Sequence, residues 1–447
     1  LHNLPLLALV SAIVAFVMSN KFNLYPIIIY VSKTKGLMDE PGERRVHSSK
    51  IPNLGGMAIF ITFCLTTLLF VSFLRVSVYD LSNVLSIISA LIILLFLGVK
   101  DDLVFITANK KLLIQLIAVS MVCVLEDVRI TNFHGLLGIG ELPYIISILF
   151  SIFVFALVIN ALNLIDGIDG LAASIAILGS LSFGIFFLMA GYYLMTLMSA
   201  ILIGSLLGFL KYNLSVNSKI FMGDCGSMIV GFLLAYQGIT FLEIQSEVLV
   251  SYNPENAPVL LLAILSYPLF DLLRVFSIRI MQKKSPFTAD NNHIHHRLLR
   301  LGLNHKQSTL LLFSSNLILV LITYSTINLP INLNLIVSVF FGMLIYLLPF
   351  LSVFEEYEPP KLLANDLAKE KAMGNTDNAF KTSDVFDRPI YQHEEQFGSS
   401  KVLSEEIQDS KDGKLVFERN LRYKKMIERE REAKKKFGAS NHKVDTE

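Results

Sequence analysis

The stretch YIISILFSIFVFALVINALNLIDGIDGL (residues 144–171) decides the class of this protein, because it joins a long apolar run to a compact polar cluster. Residues 143–162 are almost wholly apolar, and an α-helix of about 20 such residues crosses the hydrocarbon of a bilayer. Four polar side chains then close the run: Asn160, Asn163, Asp166 and Asp169. Since charged groups at membrane depth are costly, acids at the end of a predicted span indicate a functional site.

The composition of the whole chain is that of a membrane protein. Of its 447 residues, 53% are hydrophobic and only 17% are charged, which excludes a set of ordinary soluble domains. Residues 355–447 hold 18 Lys and Arg and 20 Asp and Glu. We therefore predict a polytopic membrane domain at 1–354 and a polar, charged cytoplasmic tail at 355–447. A formal net charge of +1 argues against nucleic acid as a partner.

The predicted fold is an all-α integral membrane protein with about eleven transmembrane helices and cytoplasmic catalytic loops. The apolar runs lie near residues 5–31, 56–74, 83–99, 112–125, 143–162, 171–190, 193–210, 226–242, 258–278, 309–328 and 331–353. Alternate loops, at 32–55, 100–111, 211–225 and 279–308, carry sixteen Lys and Arg, whereas the opposite loops carry only Arg75 and Arg129. Because basic residues concentrate in cytoplasmic loops, the N-terminus is predicted to lie outside and the tail inside.

On this topology the polar residues at span ends all face the cytoplasm. They come from five separate parts of the chain: Asp101 and Asp102, Asn160 to Asp169, Asp224, Asp271 with Arg274, and the loop 285–296. A set drawn from distant segments and restricted to one face is typical of an active site. No P-loop, dinucleotide-binding glycine pattern or GxSxG motif is present, which disfavours soluble nucleotide-binding folds.

The polar residues of 160–169 suit a hard divalent cation. Asn160, Asn163 and Asp166 are three residues apart and drift slowly along one face of the last helical turns. Carboxylate and amide oxygens favour Mg²⁺, with Mn²⁺ as a substitute. Helix capping with a glycine turn is the alternative, but it accounts for only one of the acids. Asp224, in FMGDCGS, has the same two interpretations, as a helix cap or as a metal ligand beside an anion.

Two further motifs carry candidate chemistry. Asp101 and Asp102 are adjacent and about 100° apart on a helix, so we expect them to have different roles, one orienting a lysine or metal and the other accepting a proton. A solvated pair of loop acids is the alternative. In SPFTADNNHIHHRLLR, the three histidines lack a second distant pair of zinc ligands. They and Arg297 are better suited to bind phosphate or sugar.

These motifs together resemble the polyprenyl-phosphate N-acetylhexosamine-1-phosphate transferases. The resemblance runs over about residues 1–353 and rests on five motifs in family order: DEPGERRVHSSKIPNLGG at 39–56, the pair at 101–102, NALNLIDGIDGL at 160–171, FMGDCGS at 221–227 and SPFTADNNHIHHRLL at 285–299. The HIHH form is similar to the branch that starts O-antigen, enterobacterial common antigen or teichoic acid synthesis. That likeness implies transfer of N-acetylglucosamine 1-phosphate, or a related sugar phosphate, from a UDP-sugar to undecaprenyl phosphate in the bacterial cytoplasmic membrane.

The resemblance also implies roles for the matching residues. Mg²⁺ binding falls to Asn163 and Asp224, and the catalytic acids are Asp101, Asp102, Asp166 and Asp169, of which the first two activate the acceptor. The substrate-binding residues are Lys111, Asn160, His47, His293, His295, His296 and Arg297. A homodimer is a further expectation. The alternatives are a secondary transporter, which would place its acids near the membrane midplane, and a lipid receptor that only binds.

Overall fold

A computed structural model describes residues 3–38, 51–74, 76–104, 106–243, 256–283 and 293–351. Within these ranges the chain is helical, apart from loops and an isolated antiparallel bridge between Asn132 and Glu141. Ten helices there are long and apolar enough to cross a membrane, and a bent pair forms an eleventh candidate span. The all-α prediction and the count of about eleven spans are confirmed. The tail and His47 lie outside the described residues, so the boundary at 354 stays a prediction.

The helices run in this order: α1 Leu4–Lys21, α2 Leu24–Lys35, α3 Gly55–Leu74, α4 Val78–Leu103, α5 Ala108–Leu125, α6 Tyr144–Ile165, α7 Leu171–Ala190, α8 Tyr193–Asn213, α9 Gly223–Leu242, α10 Ala257–Ile264, α11 Ser266–Met281, α12 Ile294–Arg300, α13 His305–Ser325 and α14 Ile331–Leu351.

Two spans differ from their predicted bounds in ways that matter for the site. The helix predicted at 83–99 extends to Leu103, so Asp101 and Asp102 lie in its last turn and not in the following loop. The short run predicted at 112–125 begins at Ala108, which places Lys111 in the first turn of α5. Both changes extend a helix beyond its apolar core, because charged residues at a membrane surface can continue a helix that hydropathy alone would end.

Helix α9 lies at the centre of the bundle and packs against α3, α4, α6 and α7. Two glycines let its first turn approach neighbouring helices at backbone distance. A Cβ atom on Gly56 would lie 2.1 Å from the Gly226 nitrogen, and one on Gly98 would lie 2.2 Å from the Cys225 Cα. Small residues permit such close approach where helices cross in a membrane. The depth of α9, and hence the position of Asp224, is set by these contacts.

The span formed by α10 and α11 is bent by 76°. Asn316 of α13 binds the backbone groups at the break. Its amide group donates to the Ile264 carbonyl oxygen at 3.0 Å, and its Oδ1 accepts the Tyr267 N–H at 3.0 Å and the Ser266 hydroxyl at 2.8 Å. Backbone polar groups inside a membrane protein need such partners wherever a helix is interrupted. The bend directs α11 towards α12, and an apolar cavity of about 260 Å³ adjoins it.

Candidate active site

The ends of three helices meet around the Lys111 ammonium group. Lys111 Nζ lies 2.9 Å from Asp101 Oδ2, at the end of α4, and 2.9 Å from Asp224 Oδ1, at the start of α9. The Lys111 and Asp101 side chains are 14% and 8% exposed, whereas that of Asp224 is 31% exposed. The lysine therefore joins two acids that are distant in sequence, and the least buried of the three groups is the Asp224 carboxylate.

Asp102 binds the N-terminus of α9. Its Oδ1 accepts the Asp224 N–H at 2.9 Å, and its Oδ2 accepts the Cys225 N–H at 3.1 Å. The Asn53 amide group donates to Oδ1 as well, at 3.3 Å. The cap of α9 is thus supplied by another helix, and the interpretation of Asp224 as that cap is wrong. Because Asp102 takes over this role, the Asp224 carboxylate is directed towards Lys111.

The two adjacent acids at the end of α4 have separate partners. Asp101 accepts the Ile106 N–H at 3.0 Å through Oδ1 and meets Lys111 through Oδ2. Asp102 instead meets backbone N–H groups of α9 with both oxygens. Successive helical residues point about 100° apart, which explains why neighbours in sequence reach different helices.

Asn163 is brought into the cluster and Asn160 is not. The Asn163 amide nitrogen donates to Asp224 Oδ1 and, at 2.8 Å, to Ser227 Oγ. Its amide oxygen is therefore the atom with which it could bind a cation. Asn160 lies one turn deeper, where it donates to Gln115 Oε1 at 2.9 Å and to the Ala156 carbonyl oxygen at 2.7 Å. Its observed contacts are with a buried glutamine of α5, which gives it a role in helix packing.

Asp166 follows the end of α6 and faces the same acids. Burial raises the pKa of Asp166 well above its ordinary value, and the negative charges of Asp224, Asp102 and Asp169 raise it further, while a hydrogen bond from the Gly223 N–H opposes them. A raised carboxyl pKa means that the surroundings disfavour one more negative charge. A cation at this point would relieve that repulsion.

Asp169 lies in the same glycine-rich loop as Asp166, residues 166–170, and its side chain is paired. Its Oδ2 lies 2.6 Å from Lys219 Nζ and 3.0 Å from His305 Nδ1. Burial raises the pKa of Asp169, but hydrogen bonds and charges from His305 and Lys219 outweigh it, so the net pKa lies below its ordinary value. Thr309 donates to the Asp169 carbonyl oxygen at 2.8 Å. Asp169 therefore attaches the glycine-rich loop to α13.

The histidine segment, residues 293–296, packs against this loop through His295. His295 is 1% exposed, and a Cβ atom on Gly167 would lie 2.5 Å from its Nε2. Its ring is parallel to that of His293, with centroids 5.6 Å apart, and lies 4.3 Å from that of His296. Burial, followed by the neighbouring histidines, lowers the pKa of His295 well below its ordinary value. Neither ring nitrogen of His295 has a hydrogen-bond partner among the described residues.

Arg297 is placed differently from the histidines. Its Nε donates to the Pro349 carbonyl oxygen of α14 at 3.4 Å. Among the described residues, this contact joins the end of the histidine segment to the last span. Arg297 therefore has an observed structural contact with α14, and its role as a substrate ligand stays a prediction.

Several residues of the site were absent from the sequence prediction: Asn53, Gln115, Lys219 and His305. Gln115 could have been noticed as the amide that interrupts an apolar run, and it is completely buried. Lys219 and His305 lie near span ends on the predicted cytoplasmic side, which alone does not distinguish them from other basic residues there. Only their contact with Asp169 identifies them.

The donor set fits one divalent cation that shares its ligands with a substrate. Asp101 and Asp224 contact Lys111, and the charges of Asp102 and Asp166 act on Asp224 or on each other, so acids exceed bases among the described groups of this cluster. Within the described ranges, no three His, Cys, Asp or Glu side chains converge to hold a metal ion by themselves. Mg²⁺ usually takes one or two carboxylates and completes its shell with water and phosphate oxygens. Asp224 and the amide oxygen of Asn163 suit that pattern.

Comparison with known proteins finds a family of transferases and relatives within it. The family model described as glycosyl transferase family 4 matches residues 84–242. A probable undecaprenyl-phosphate N-acetylglucosaminyl 1-phosphate transferase of Bacillus subtilis (strain 168) is 30% identical over an alignment of 319 residues, and the match covers 68% of this chain and 82% of the relative. A decaprenyl-phosphate N-acetylglucosaminephosphotransferase of Mycobacterium tuberculosis (strain ATCC 25618 / H37Rv) is 30% identical over 70% of this chain and 80% of its own length.

A third relative extends the comparison to another bacterial group. The undecaprenyl-phosphate alpha-N-acetylglucosaminyl 1-phosphate transferase of Escherichia coli (strain K12) is 27% identical over 290 residues, covering 63% of this chain and 74% of the relative.

Proposed function

Because this chain belongs to the polyprenyl-phosphate N-acetylhexosamine-1-phosphate transferases of glycosyl transferase family 4, we propose that it transfers N-acetylglucosamine 1-phosphate from a UDP-sugar to undecaprenyl phosphate. Membership in this family, together with the candidate membrane spans, identifies the chain as a multi-pass membrane phosphotransferase. The products would be UMP and the lipid-diphosphate sugar that starts cell-envelope glycan synthesis. The observation that carries the proposal is the meeting of Asp101, Lys111, Asn163 and Asp224 from four helices at one end of the bundle.

The reaction joins two anions, so its barrier is largely one of charge and position. An oxygen of the lipid phosphate forms a bond to the β-phosphorus of the UDP-sugar, and the bond from that phosphorus to the bridging oxygen breaks. UMP leaves with the electron pair. Lys111 supplies a fixed positive charge at this point, which its two carboxylate contacts hold in place. A preorganised cation that faces developing charge is usually among the largest contributions to such catalysis.

We propose Mg²⁺ as the cofactor, with Mn²⁺ as a substitute, held by Asp224 and Asn163. When bound, such an ion neutralises pyrophosphate oxygens and orients the leaving group. The partial exposure of the Asp224 carboxylate supports this assignment, because a shared ligand must remain accessible to substrate.

The contacts suggest a division of labour among the acids. We assign Asp101 to the acceptor phosphate, since it lies beside Lys111. Both oxygens of Asp102 are engaged with α9, which suits a positioning residue that orients Asp224. Asp166 faces the same cluster from the glycine-rich loop and would act on the donor side. Asp169 would hold that loop through Lys219 and His305.

We place this end of the bundle at the cytoplasmic face, as the loop charges predict. A UDP-sugar would then arrive from water, while the polyprenyl chain stays in the bilayer. The proposed donor contacts are the three histidines packed near the glycine-rich loop, together with Arg297 and His47. The N-terminus would lie outside and the tail would lie in the cytoplasm.

The direct test is a turnover assay with the purified full chain in detergent, UDP-N-acetylglucosamine, undecaprenyl phosphate and Mg²⁺. Release of UMP with formation of the lipid product supports the proposal. Chelation of the metal should abolish turnover, and Mg²⁺ or Mn²⁺ should restore it. Asp224→Asn should also abolish turnover, whereas Asp127→Asn, which changes an exposed acid paired with Arg129, should not. Substrate flux across proteoliposomes without UMP release would favour the transporter instead.

A panel of UDP-sugars would identify the donor. The same assay with UDP-N-acetylgalactosamine, UDP-glucose and UDP-N-acetylglucosamine compares an epimer and a sugar without the acetamido group. Preference for UDP-N-acetylglucosamine in kcat/KM is expected. Faster turnover of another sugar would replace the donor while leaving the reaction class intact.

A further inference from the structure

We infer that Asp271, a residue outside the family motifs quoted above, positions the histidine segment for donor binding through its contact with His293. The inference rests on the proposed function of that segment. Asp271 lies on α11, beyond the 76° bend, and is completely buried. Its Oδ2 is 3.0 Å from His293 Nδ1, and its Oδ1 accepts the Ile294 N–H at 3.0 Å. One carboxylate thus binds both the first histidine of the segment and the start of α12.

The contact selects a form of the His293 ring. An ionised carboxylate can only accept hydrogen bonds, so His293 Nδ1 must carry a proton. The second ring nitrogen, Nε2, is then the acceptor in the neutral ring. A carboxylate that fixes the tautomer and orientation of a histidine is a recurrent arrangement in enzyme and metal sites.

His293 transmits this orientation to the loop that carries Asp166. Its ring lies parallel to the ring of His295 within 8°, and His295 in turn packs against Gly167, the residue after Asp166. The stack leaves little freedom for one ring to turn alone, because His293 and His295 are 5% and 1% exposed. A change in the Asp271 contact should therefore move the histidines relative to the loop.

A purely structural role is the competing explanation. Asp271 has a second partner in Arg274, whose Nη2 lies 3.6 Å from Oδ1 and whose guanidinium carbon lies 4.2 Å from the centroid of the Phe350 ring. Burying such charges is costly, and apolar residues can often replace a buried ion pair without loss of stability. Anchoring alone would therefore not require a carboxylate. Selection of one imidazole tautomer would require it.

The test compares Asp271→Asn with His293→Ala and the double variant. Asparagine keeps the shape of Asp271 and can still accept the Ile294 N–H, but its amide group would face His293 Nδ1 with a donor. We expect the KM for UDP-N-acetylglucosamine to rise about tenfold in each single variant, the usual size for loss of a supporting contact. The KM for undecaprenyl phosphate should stay unchanged, and the double variant should show no additional rise.

Glu243→Gln provides the matched control, since this partly buried carboxylate accepts the Thr131 N–H at the other end of α9. It should leave the donor KM at the wild-type value. A wild-type donor KM in Asp271→Asn would overturn the inference, as would effects of the two single variants that multiply in the double variant. If Asp271→Asn does not fold, a wild-type donor KM in His293→Ala has the same consequence.

Failure of the proposed function would look different. In that case the wild-type chain would release no UMP with any donor. Equilibrium binding of UDP-N-acetylglucosamine to wild type and Asp271→Asn, measured without acceptor, would then still report the contact. A tenfold weaker binding in the variant supports the positioning role, and equal binding refutes it.

Discussion

Replacing Lys111 by methionine tests the electrostatic basis of the site most directly. The change keeps most of the side-chain volume but removes the charge that lies 2.9 Å from both Asp101 and Asp224. At that distance, and with an effective dielectric constant of about 20, each contact has a gross Coulomb energy of about 6 kcal/mol. Desolvation of the three groups offsets much of this energy. Removing one partner from a largely buried pair typically costs about 3–5 kcal/mol, because the remaining charge is left uncompensated.

The expected result of Lys111→Met is a loss of both stability and turnover. The free energy of unfolding should fall by about 3 kcal/mol, the lower end of that range, since Asp224 is partly exposed and stays hydrated. Turnover should fall about 100- to 1000-fold, as for removal of one preorganised donor from an active site. UMP release under saturating substrates measures turnover, and thermal unfolding in detergent measures stability. Lys111→Arg keeps the charge and should lose less of both. If Lys111→Met turned over at the wild-type rate, the lysine would have no role in the reaction and the reasoning above would fail.

Contacts elsewhere in the bundle can be tested by single substitutions. Gly56→Ala should destabilise the fold by about 1–3 kcal/mol through overpacking, because the new Cβ would meet the Gly226 backbone. Gly140→Ala, with open space around it, should not, and equal melting temperatures of the two variants would contradict this prediction. The pKa of Asp169 is lowered, so its contribution to stability is complete above the ordinary carboxyl pKa and is lost as pH falls below about 4. Lys219→Met should make the stability of the protein depend less on pH in this range, as measured by unfolding curves at each pH. An unchanged pH dependence would exclude the Asp169–Lys219 ion pair as its cause. Asn316→Leu should lower the free energy of unfolding by about 1–3 kcal/mol, because the Ile264 carbonyl and the Tyr267 N–H lose this partner. Ser325→Ala, which removes an exposed hydroxyl on the same helix, is the control in the same thermal assay.

The class of the fold could be predicted from sequence because the cost of placing polar groups in hydrocarbon applies to each residue where it stands. Runs such as 143–162 therefore identify spans without any knowledge of their neighbours. The bounds were less well predicted, as the extension of α4 through Asp102 shows. A hydropathy pattern ends where the charges begin, whereas the helix continues for as long as its backbone hydrogen bonds persist.

The candidate site was predictable as a set of residues but not as a network. Motif resemblance drew attention to Asp101, Asp102, Asn163 and Asp224, and all four lie at one end of the bundle. Their contacts were not predictable: the sequence favoured a capping or metal role for Asp224, and the structure shows that Asp102 binds the start of α9 in its place. Asn160 shares the three-residue spacing of the motif yet contacts Gln115.

By itself, then, the sequence determined that this chain is a helical membrane protein whose acids and amides gather near span ends, since hydropathy and charge act locally along the chain. The tertiary structure alone decided which acid meets which partner. Asp169 pairs with a lysine 50 positions away and a histidine 136 positions away, and Asp271 contacts His293 from beyond the bend in its span. Such pairings depend on the depth and rotation of each helix against its neighbours, which close contacts such as that of Gly56 with Gly226 set through packing across the whole bundle.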